Sequence, residues 1–177
     1  MQVELMNYIV AAVGDWNKEI FDKVSKRQRG NWYFCSIPSE LDDLLERVAP
    51  EYIFFPHWSW IVSDEIIEKY ECICFHMTDL PFGRGGSPLQ NLIVRGYEDT
   101  ILTALRMEGG VDTGPIYYKK PLSLHGPAHD IYKRAGRLCW GMISDFIKEN
   151  PNWFFNYFQY YTDIPPSIYE SIIKHPK

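Results

Sequence analysis

The sequence predicts an α/β fold with a mostly parallel central sheet and helices on both of its faces. Two observations predict it: short apolar runs alternate with segments whose apolar residues recur at helical spacing, and turn-forming residues separate the two. A chain of 177 residues has about the length of one domain, which we expect to cover residues 1–150. We expect the aromatic-rich residues 151–177 to dock on that same domain.

Four strands and three helices are predicted in the first half of the chain. Each predicted strand is a short apolar run, typical of strands buried on both faces, and the runs cover residues 8–13, 32–37, 52–55 and 72–76. Asp15 and Ser63 are predicted to cap the first and third helices, and Ser39 opens the second in a capping box with Asp42. Pro56 is expected to end the third strand, because proline cannot donate a hydrogen bond to a sheet.

Two further strands and one long helix are predicted in the second half. The strands cover residues 101–107 and 116–120, joined by the loop 108–115. The helix starts after Pro127 and ends at Pro151, and one of its faces carries Ile131, Ala135, Leu138, Met142, Ile143 and Phe146. Chemistry is expected in the loops after residues 13, 55 and 75, because functional groups gather beyond the carboxyl ends of parallel strands.

Composition argues against several classes of protein. Eighteen Lys and Arg against twenty-three Asp and Glu give a net charge of −5, so we expect no nucleic-acid partner bound through a general basic field, although a local basic patch stays possible. No apolar run approaches the ~18 residues of a transmembrane helix, and the N-terminus has acids where a signal peptide needs Lys or Arg. We therefore expect a cytoplasmic protein without a membrane partner. Cys72 and Cys74 share a strand face but have no second pair nearby, so we expect buried thiols and no metal.

Two loops carry the residues that are suited to chemistry. The sequence has no G-x-G-x-x-G after its first strand, no Walker loop, no H-E-x-x-H and no G-x-S-x-G, which argues against several common enzyme classes. The loop 75–88 contains His76, and the glycine-rich loop 109–114 contains Asp112. A carboxylate beside an imidazole fixes its tautomer and raises its basicity, so this pair predicts acid–base chemistry near neutral pH.

The same two loops resemble the paired signature of the formyltetrahydrofolate-dependent formyltransferase superfamily. The matching segments are His76-Met-Thr-Asp-Leu-Pro81 with Arg84-Gly85, and Val111-Asp-Thr-Gly-Pro-Ile116 some thirty residues later. The resemblance implies a Rossmann-like formyltransferase fold and N10-formyltetrahydrofolate as the formyl donor. It also implies that His76 is the catalytic histidine and that Asp112 is its partner. The first loop looks most like that of small sugar N-formyltransferases and of the formylation domain of linear gramicidin synthetase.

The resemblance further implies two binding regions and one departure from the family pattern. By this resemblance, the residues that bind folate would be Trp58, Ser59, Trp60, Ile61, Gly109, Gly110 and Asp112. The residues that bind the acceptor would be Arg84, Gly85, Ser87 and Gln90. Arg84 is equally suited to bracing the loop by pairing with an acid. Cys74 stands at a catalytic position where the family usually has Asn, and a thiol is a poor donor. His57 is either a substitute donor or a histidine packed among Trp58 and Trp60.

The resemblance implies transfer of a formyl group to the amine of a nucleotide-linked amino sugar. The best candidate is UDP-4-amino-4,6-dideoxy-N-acetyl-altrosamine, of the pseudaminic acid type of pathway. Methionyl-tRNA formyltransferases carry a further C-terminal barrel domain, and this sequence has no room for one, so tRNA is not the expected acceptor. The alternatives are a formyltetrahydrofolate deformylase, a carrier-tethered aminoacyl formyltransferase, and an inactive folate-binding module, which Cys74 suggests.

Overall fold

A computed structural model of the protein describes residues 5–149. The segment 151–177, predicted to dock on the domain, lies outside the described residues. Within the described range the elements follow in this order: β1 (Asn7–Ala12), α1 (Asp15–Val24), β2 (Asn31–Cys35), α2 (Pro38–Arg47), β3 (Tyr52–His57), α3 (Asp64–Lys69), β4 (Glu71–His76), α4 (Pro88–Val94), β5 (Asp99–Arg106), β6 (Ile116–Ser123) and α5 (Ala128–Glu149).

The strands form one mostly parallel sheet in the order β2-β1-β3-β4-β5-β6. The first four strands of this order are parallel to one another, whereas β5 and β6 are antiparallel to their neighbours. The predicted fold class is therefore confirmed. Parallel pairing places the carboxyl ends of β3 and β4 at the same edge of the sheet, which is where a ligand is expected.

The antiparallel direction of β5 affects the loop between β5 and β6. Arg106 pairs with Ile73, and the backbone N–H of Met107 donates to the carbonyl of Cys72, so β5 ends beside the first half of β4. The loop 107–115 therefore has to turn back along β4, by about three or four strand residues at ~3.3 Å each, to reach the carboxyl edge.

Helices cover both faces of the sheet, and each face has its own apolar core. One core contains Phe21 of α1 and Ile131 of α5 with the strand residues Val10 and Phe54. The other contains Leu41 of α2 with the alternate strand residues, and Ile66 of α3 packs against it. The stripe predicted for the long helix is buried apart from Leu138, which is partly buried, and Cys139 and Trp140 of the same helix are buried as well.

Two of the three predicted helix starts need correction. Ser63 holds the cap position of α3 as predicted, although its side chain makes no cap hydrogen bond. Asp15, in contrast, is the first residue of α1, and Gly14 holds the cap position. α2 begins at Pro38 because proline favours the first helical position. The predicted capping box of Ser39 and Asp42 is therefore wrong, because Ser39 lies inside the helix. Instead the Glu40 carboxylate accepts the N–H of Ser36 at 2.7 Å, which holds the pKa of Glu40 below its usual range.

Two further predictions about elements were wrong. β3 does not end at Pro56 but continues to His57, where a register shift against β1 accommodates the proline. The helix α4, at Pro88–Val94, was not predicted as a helix at all. Its apolar residues follow a loop rich in glycine, and the segment is too short for helical periodicity to stand out.

The thiols lie in the sheet and its covering helices. Cys72 is buried in the second core and Cys74 packs against the same core, so the two share a face as predicted. Burial raises the pKa of Cys35 and of Cys72 to about 12.

Between residues 5 and 149 no three potential metal-ligating side chains come together. Of the helices that the structure describes, none combines the length and the apolar character needed to cross a bilayer.

Candidate active site

A cavity of about 480 Å³ opens at the carboxyl edge of β3 and β4. This volume lies within the range that is usual for ligand-binding pockets. The predicted site residues that line it are Trp58, Ser59, Trp60, Ile61, Cys74, His76, Gly85, Ser87, Gln90, Gly109, Gly110 and Asp112. Arg84 does not line the cavity. The structure thus brings together residues from three segments of the sequence, after β3, after β4 and between β5 and β6.

His76 is the last residue of β4, and its ring is held in one orientation. The side chain is 7% exposed, and Nε2 donates to the carbonyl oxygen of Gly83 at 2.7 Å. A carbonyl oxygen can only accept, so Nε2 carries a hydrogen. On the other side of the ring, Nδ1 lies 3.3 Å from Oδ2 of Asp112. Both ring nitrogens of His76 therefore face an oxygen of the protein.

Asp112 is the point at which the two predicted loops meet. Its Oδ2 accepts the backbone N–H of Gly85 at 2.9 Å, and its backbone carbonyl accepts Nε–H of Arg84 at 3.0 Å. Its backbone has a φ of 52°, in the left-handed region that few residues other than glycine adopt, although aspartate tolerates it better than most. Backbone strain of this kind clusters at functional sites.

Glycines allow the loop 107–115 to fold back to His76. A Cβ on Gly114 would overlap the carbonyl oxygen of Arg106, so only glycine fits where the loop rejoins the sheet. A Cβ on Gly110 would lie 2.5 Å from Oγ1 of Thr113. A Cβ on Gly109 would meet no protein atom within 4 Å, so this wall of the cavity borders open space. Gly109 and Gly110 were predicted to form this wall, whereas Gly114 was part of the matching segment but had no predicted role of its own.

Another wall of the cavity is aromatic. Trp58 packs edge-on against Phe55 and against Trp60, with ring centroids 5.8 and 4.8 Å apart. Trp60 is 42% exposed and Ile61 is 87% exposed. Large flat side chains that stand partly open beside a cavity can stack on a planar ligand.

Arg84 and Gln90 make contacts that the sequence did not indicate. Arg84 braces the loop as one alternative proposed, but it binds a backbone carbonyl and not the expected acidic side chain. Gln90 lines the cavity while its amide donates to the hydroxyl of Tyr132 in α5 at 2.7 Å. Ser87 holds the cap position of α4 with a φ of 57°.

His57 lines the same cavity, but its neighbours differ from the expected ones. Its ring packs edge-on against Trp16 and Tyr132, at centroid distances of 5.9 and 5.3 Å, and not among Trp58 and Trp60. Burial lowers the pKa of His57. Sequence reasoning missed Trp16 and Tyr132, since they come from α1 and α5 and nothing in their local patterns distinguishes them from core residues.

Cys74 lies in β4, two residues ahead of His76, and it lines the cavity. Burial, and then the negative charge of Asp112, raise the pKa of its thiol. The sulfur therefore carries its hydrogen at neutral pH and is neither a thiolate nucleophile nor a strong hydrogen-bond donor.

An imidazole–carboxylate pair in a cavity at the carboxyl edge of a parallel sheet is the arrangement of an enzyme that moves protons while a bound ligand reacts. The chain belongs to the formyl transferase family, whose sequence profile matches residues 17–132. Curated relatives include the methionyl-tRNA formyltransferases of Clostridium botulinum, 28% identical over 65% of this chain, and of Rickettsia prowazekii, 36% identical over 48% of it. The matches cover 42% and 29% of those proteins, so the chain spans less than half of the length of either.

Solved structures share the fold. The methionyl-tRNA formyltransferase from Clostridium thermocellum is 44% identical with a TM-score of 0.78, over 83% of this chain and 66% of that one. The formyltransferase PseJ from Anoxybacillus kamchatkensis is 13% identical with a TM-score of 0.60, over 81% of this chain and 75% of that one. Its structure contains UDP-4,6-dideoxy-4-formamido-L-AltNAc and tetrahydrofolate. At that identity the likeness shows a common fold alone.

Proposed function

We propose that this chain transfers the formyl group of N10-formyltetrahydrofolate to a primary amine, with residues 1–150 as the catalytic domain. The observation that carries this proposal is the contact of His76 with Asp112 inside the cavity, 3.3 Å between Nδ1 and Oδ2. Membership of the formyl transferase family supports it.

The cavity suits a folate. The partly exposed ring of Trp60 and the open space in front of Gly109 both border the cavity, and a flat pterin can lie between such walls. Ser59 and Ile61 line it beside Trp60. When bound, N10-formyltetrahydrofolate would supply the carbon that the acceptor amine attacks.

His76 and Asp112 are proposed to divide the chemistry. In its protonated form His76 donates from Nε2 to Gly83, and its Nδ1–H faces Asp112. The ring then places a positive charge beside the reacting centre, where it stabilises the negative charge that develops on oxygen. Asp112 has Oδ2 occupied by His76 and Gly85, so its other oxygen is the one proposed to take a proton from the amine and pass it to the leaving nitrogen.

The acceptor that we propose is a nucleotide-linked amino sugar, with UDP-4-amino-4,6-dideoxy-N-acetyl-altrosamine as the first candidate. The net charge of −5 supports a small substrate over a nucleic acid, and we propose a cytoplasmic location for the reaction. Gly85, Ser87 and Gln90 line the cavity and are the proposed acceptor contacts. Arg84 can join them only by releasing the carbonyl of Asp112.

Methionyl-tRNA is the second candidate acceptor. The 44% identity to the Clostridium thermocellum structure, over 83% of this chain, favours it. The names of the curated relatives favour it as well.

A mass-spectrometric assay separates these acceptors. The chain is incubated with N10-formyltetrahydrofolate and either UDP-linked 4-amino sugars, methionyl-tRNA or aminoacyl carrier domains, and each acceptor is examined for the gain of one formyl group. A formylated amino sugar supports the first candidate, and formylmethionyl-tRNA supports the second. Folate turnover without any acceptor would identify a deformylase. Tetrahydrofolate binding without product from any amine would identify an inactive module and contradict the proposal.

A further inference from the structure

The cavity contains two histidines whose surroundings differ. Both ring nitrogens of His76 face protein oxygens, those of Gly83 and Asp112. His57 lines the same cavity, yet within residues 5–149 neither of its ring nitrogens has a hydrogen-bond partner. Its neighbours are the rings of Trp16 and Tyr132, which hold the imidazole in place without engaging its nitrogens in hydrogen bonds.

A bulge in β3 places His57 at this position. Val10 pairs with Phe54, but Ala12 pairs with His57, so β3 has one extra residue at Pro56 relative to β1. Such an insertion reverses the alternation of the strand and turns the next side chain to the other face. His57 consequently faces α1 and α5. The backbone N–H of Val13 donates to the carbonyl of His57 at 2.8 Å and fixes the end of the bulged strand.

Formylation of an amine requires the removal of two protons from one nitrogen. A primary amine is an ammonium ion at neutral pH, and it ends as a formamide with one N–H. A bond forms between this nitrogen and the formyl carbon, the bond from that carbon to N10 breaks, and N10 takes up one proton. The second proton has to leave for the solvent. Asp112 can carry the proton that passes to N10. His76 cannot accept the other proton, because both of its ring nitrogens already face protein oxygens.

We propose that His57 is the base that takes this second proton, removing it from the ammonium of the acceptor before the amine attacks. This inference rests on the proposed formyl transfer. The resulting imidazolium then releases the proton to solvent at the open side of the cavity, so that the charges and protons balance over one turnover. His57 would thus contact the acceptor and act as a second catalytic base, supplied by a different segment of the chain from Asp112.

The electrostatic surroundings suit this role. Burial lowers the pKa of His57, so the ring is neutral and able to accept a proton at pH 7. Tyr132 of α5 packs directly on the ring, and the pKa of its own hydroxyl is raised by burial. The other titratable or charged groups that share the cavity are Asp64, Cys74, His76, Arg106, Glu108 and Asp112.

The test compares His57→Gln with the wild type from pH 6 to pH 9.5. The acceptor is UDP-4-amino-4,6-dideoxy-N-acetyl-altrosamine, or methionyl-tRNA if only that gives product. At pH 7 we expect His57→Gln to lose about 100-fold in kcat/KM for the acceptor. The loss should shrink steadily as the pH rises, because the amine then deprotonates in solution. Tetrahydrofolate affinity, measured by tryptophan fluorescence, should stay unchanged. The matched control is His129→Gln, an exposed histidine at the start of α5, which should behave as the wild type.

A second variant guards against a loss that is only structural. His57→Ala should be equally slow at pH 7 and should regain activity when millimolar imidazole is added, whereas His129→Ala should not respond. A loss in His57→Gln that is the same at every pH, together with no rescue of His57→Ala by imidazole, would overturn the inference. Wild-type rates in both His57 variants would also overturn the inference. In either case, formylation of the amine by the wild type would still support the proposed function. A wild type that formylates no amine would contradict the proposed function as well.

Discussion

The carboxyl ends of β3 and β4 lie side by side and both place an imidazole at the cavity, but they hold it differently. At the end of β4, the following loop provides a carbonyl for one nitrogen of His76, and a second loop brings Asp112 to the other. At the end of β3, a bulge turns His57 between two aromatic rings that leave its nitrogens without described hydrogen bonds. The first ring is fixed by polar contacts and the second by packing.

This difference suggests separate tasks. A ring with both nitrogens engaged can hold a positive charge at one place but cannot readily exchange protons with a substrate. A ring held only by packing can accept a proton and release it, because no existing hydrogen bond has to be broken. The variants below test the residues in and around the end of β4, in order of decreasing effect.

Asp112→Asn should have the largest effect. The amide is similar in size and keeps an oxygen for the N–H of Gly85, but it removes the carboxylate beside His76, which is the group that we propose carries the amine's proton. Loss of such a group typically costs about 100- to 10,000-fold. We expect kcat to fall by that amount with a much smaller change in tetrahydrofolate affinity. Asp130→Asn, at an exposed position in α5, is the control. Unchanged turnover with weaker folate binding would mean that Asp112 only shapes the slot.

His76→Asn should rank second. The shorter amide cannot carry the positive charge that we propose for the ring of His76, and loss of one such stabilising group costs roughly 100- to 1000-fold in rate. The fold should persist, because His76 is the last residue of its strand. Steady-state kinetics together with a thermal melt check this. Near-normal activity would remove His76 from the mechanism.

Cys74→Asn tests the position at which the sequence departs from the family pattern. The thiol lines the cavity on one side and packs against apolar side chains of the second core on the other, so an amide there would press a polar group against apolar neighbours. This typically costs about 1–3 kcal/mol. We expect lower stability and lower activity together, whereas Cys74→Ala should keep more of both. Higher turnover at unchanged stability would show instead that an amide donor was missing.

Arg84→Ala should have the smallest effect. It removes one exposed hydrogen bond to the carbonyl of Asp112, worth about 0.5–1.5 kcal/mol, and so should lower kcat by roughly 2- to 10-fold. The KM for the acceptor should hardly change. A rise in that KM with kcat intact would show that Arg84 binds the acceptor and does not brace the loop.

The sequence predicted the parts of this site that depend on residue type and spacing. His76 stood out because it ends an apolar run typical of a strand, and Asp112 because it lies in a glycine-rich loop. The structure brings the two side chains together. The alternation of strands and helices likewise predicted the sheet. The position of Asp112 could not be predicted, because it depends on a loop that runs back along β4. The left-handed backbone of Asp112 is likewise held by contacts with residues that are distant in sequence.

The surroundings of His57 could not be predicted for a similar reason. A proline after a strand usually ends it, and only the pairing with β1 shows that β3 continues through a bulge. The rings that enclose His57 come from α1 and α5, so their contact exists only once both helices have packed on the same face of the sheet.

A single-turnover experiment is the sharpest test of whether the pair of His76 and Asp112 drives formyl transfer to an amine. Wild type and Asp112→Asn are each mixed with N10-formyltetrahydrofolate and an excess of the amine acceptor, and tetrahydrofolate and formylated amine are both quantified by mass spectrometry. We expect the wild type to form the two products in equal amounts and Asp112→Asn to form neither within the same time. Tetrahydrofolate without formylated amine, or equal product from both proteins, would contradict this expectation.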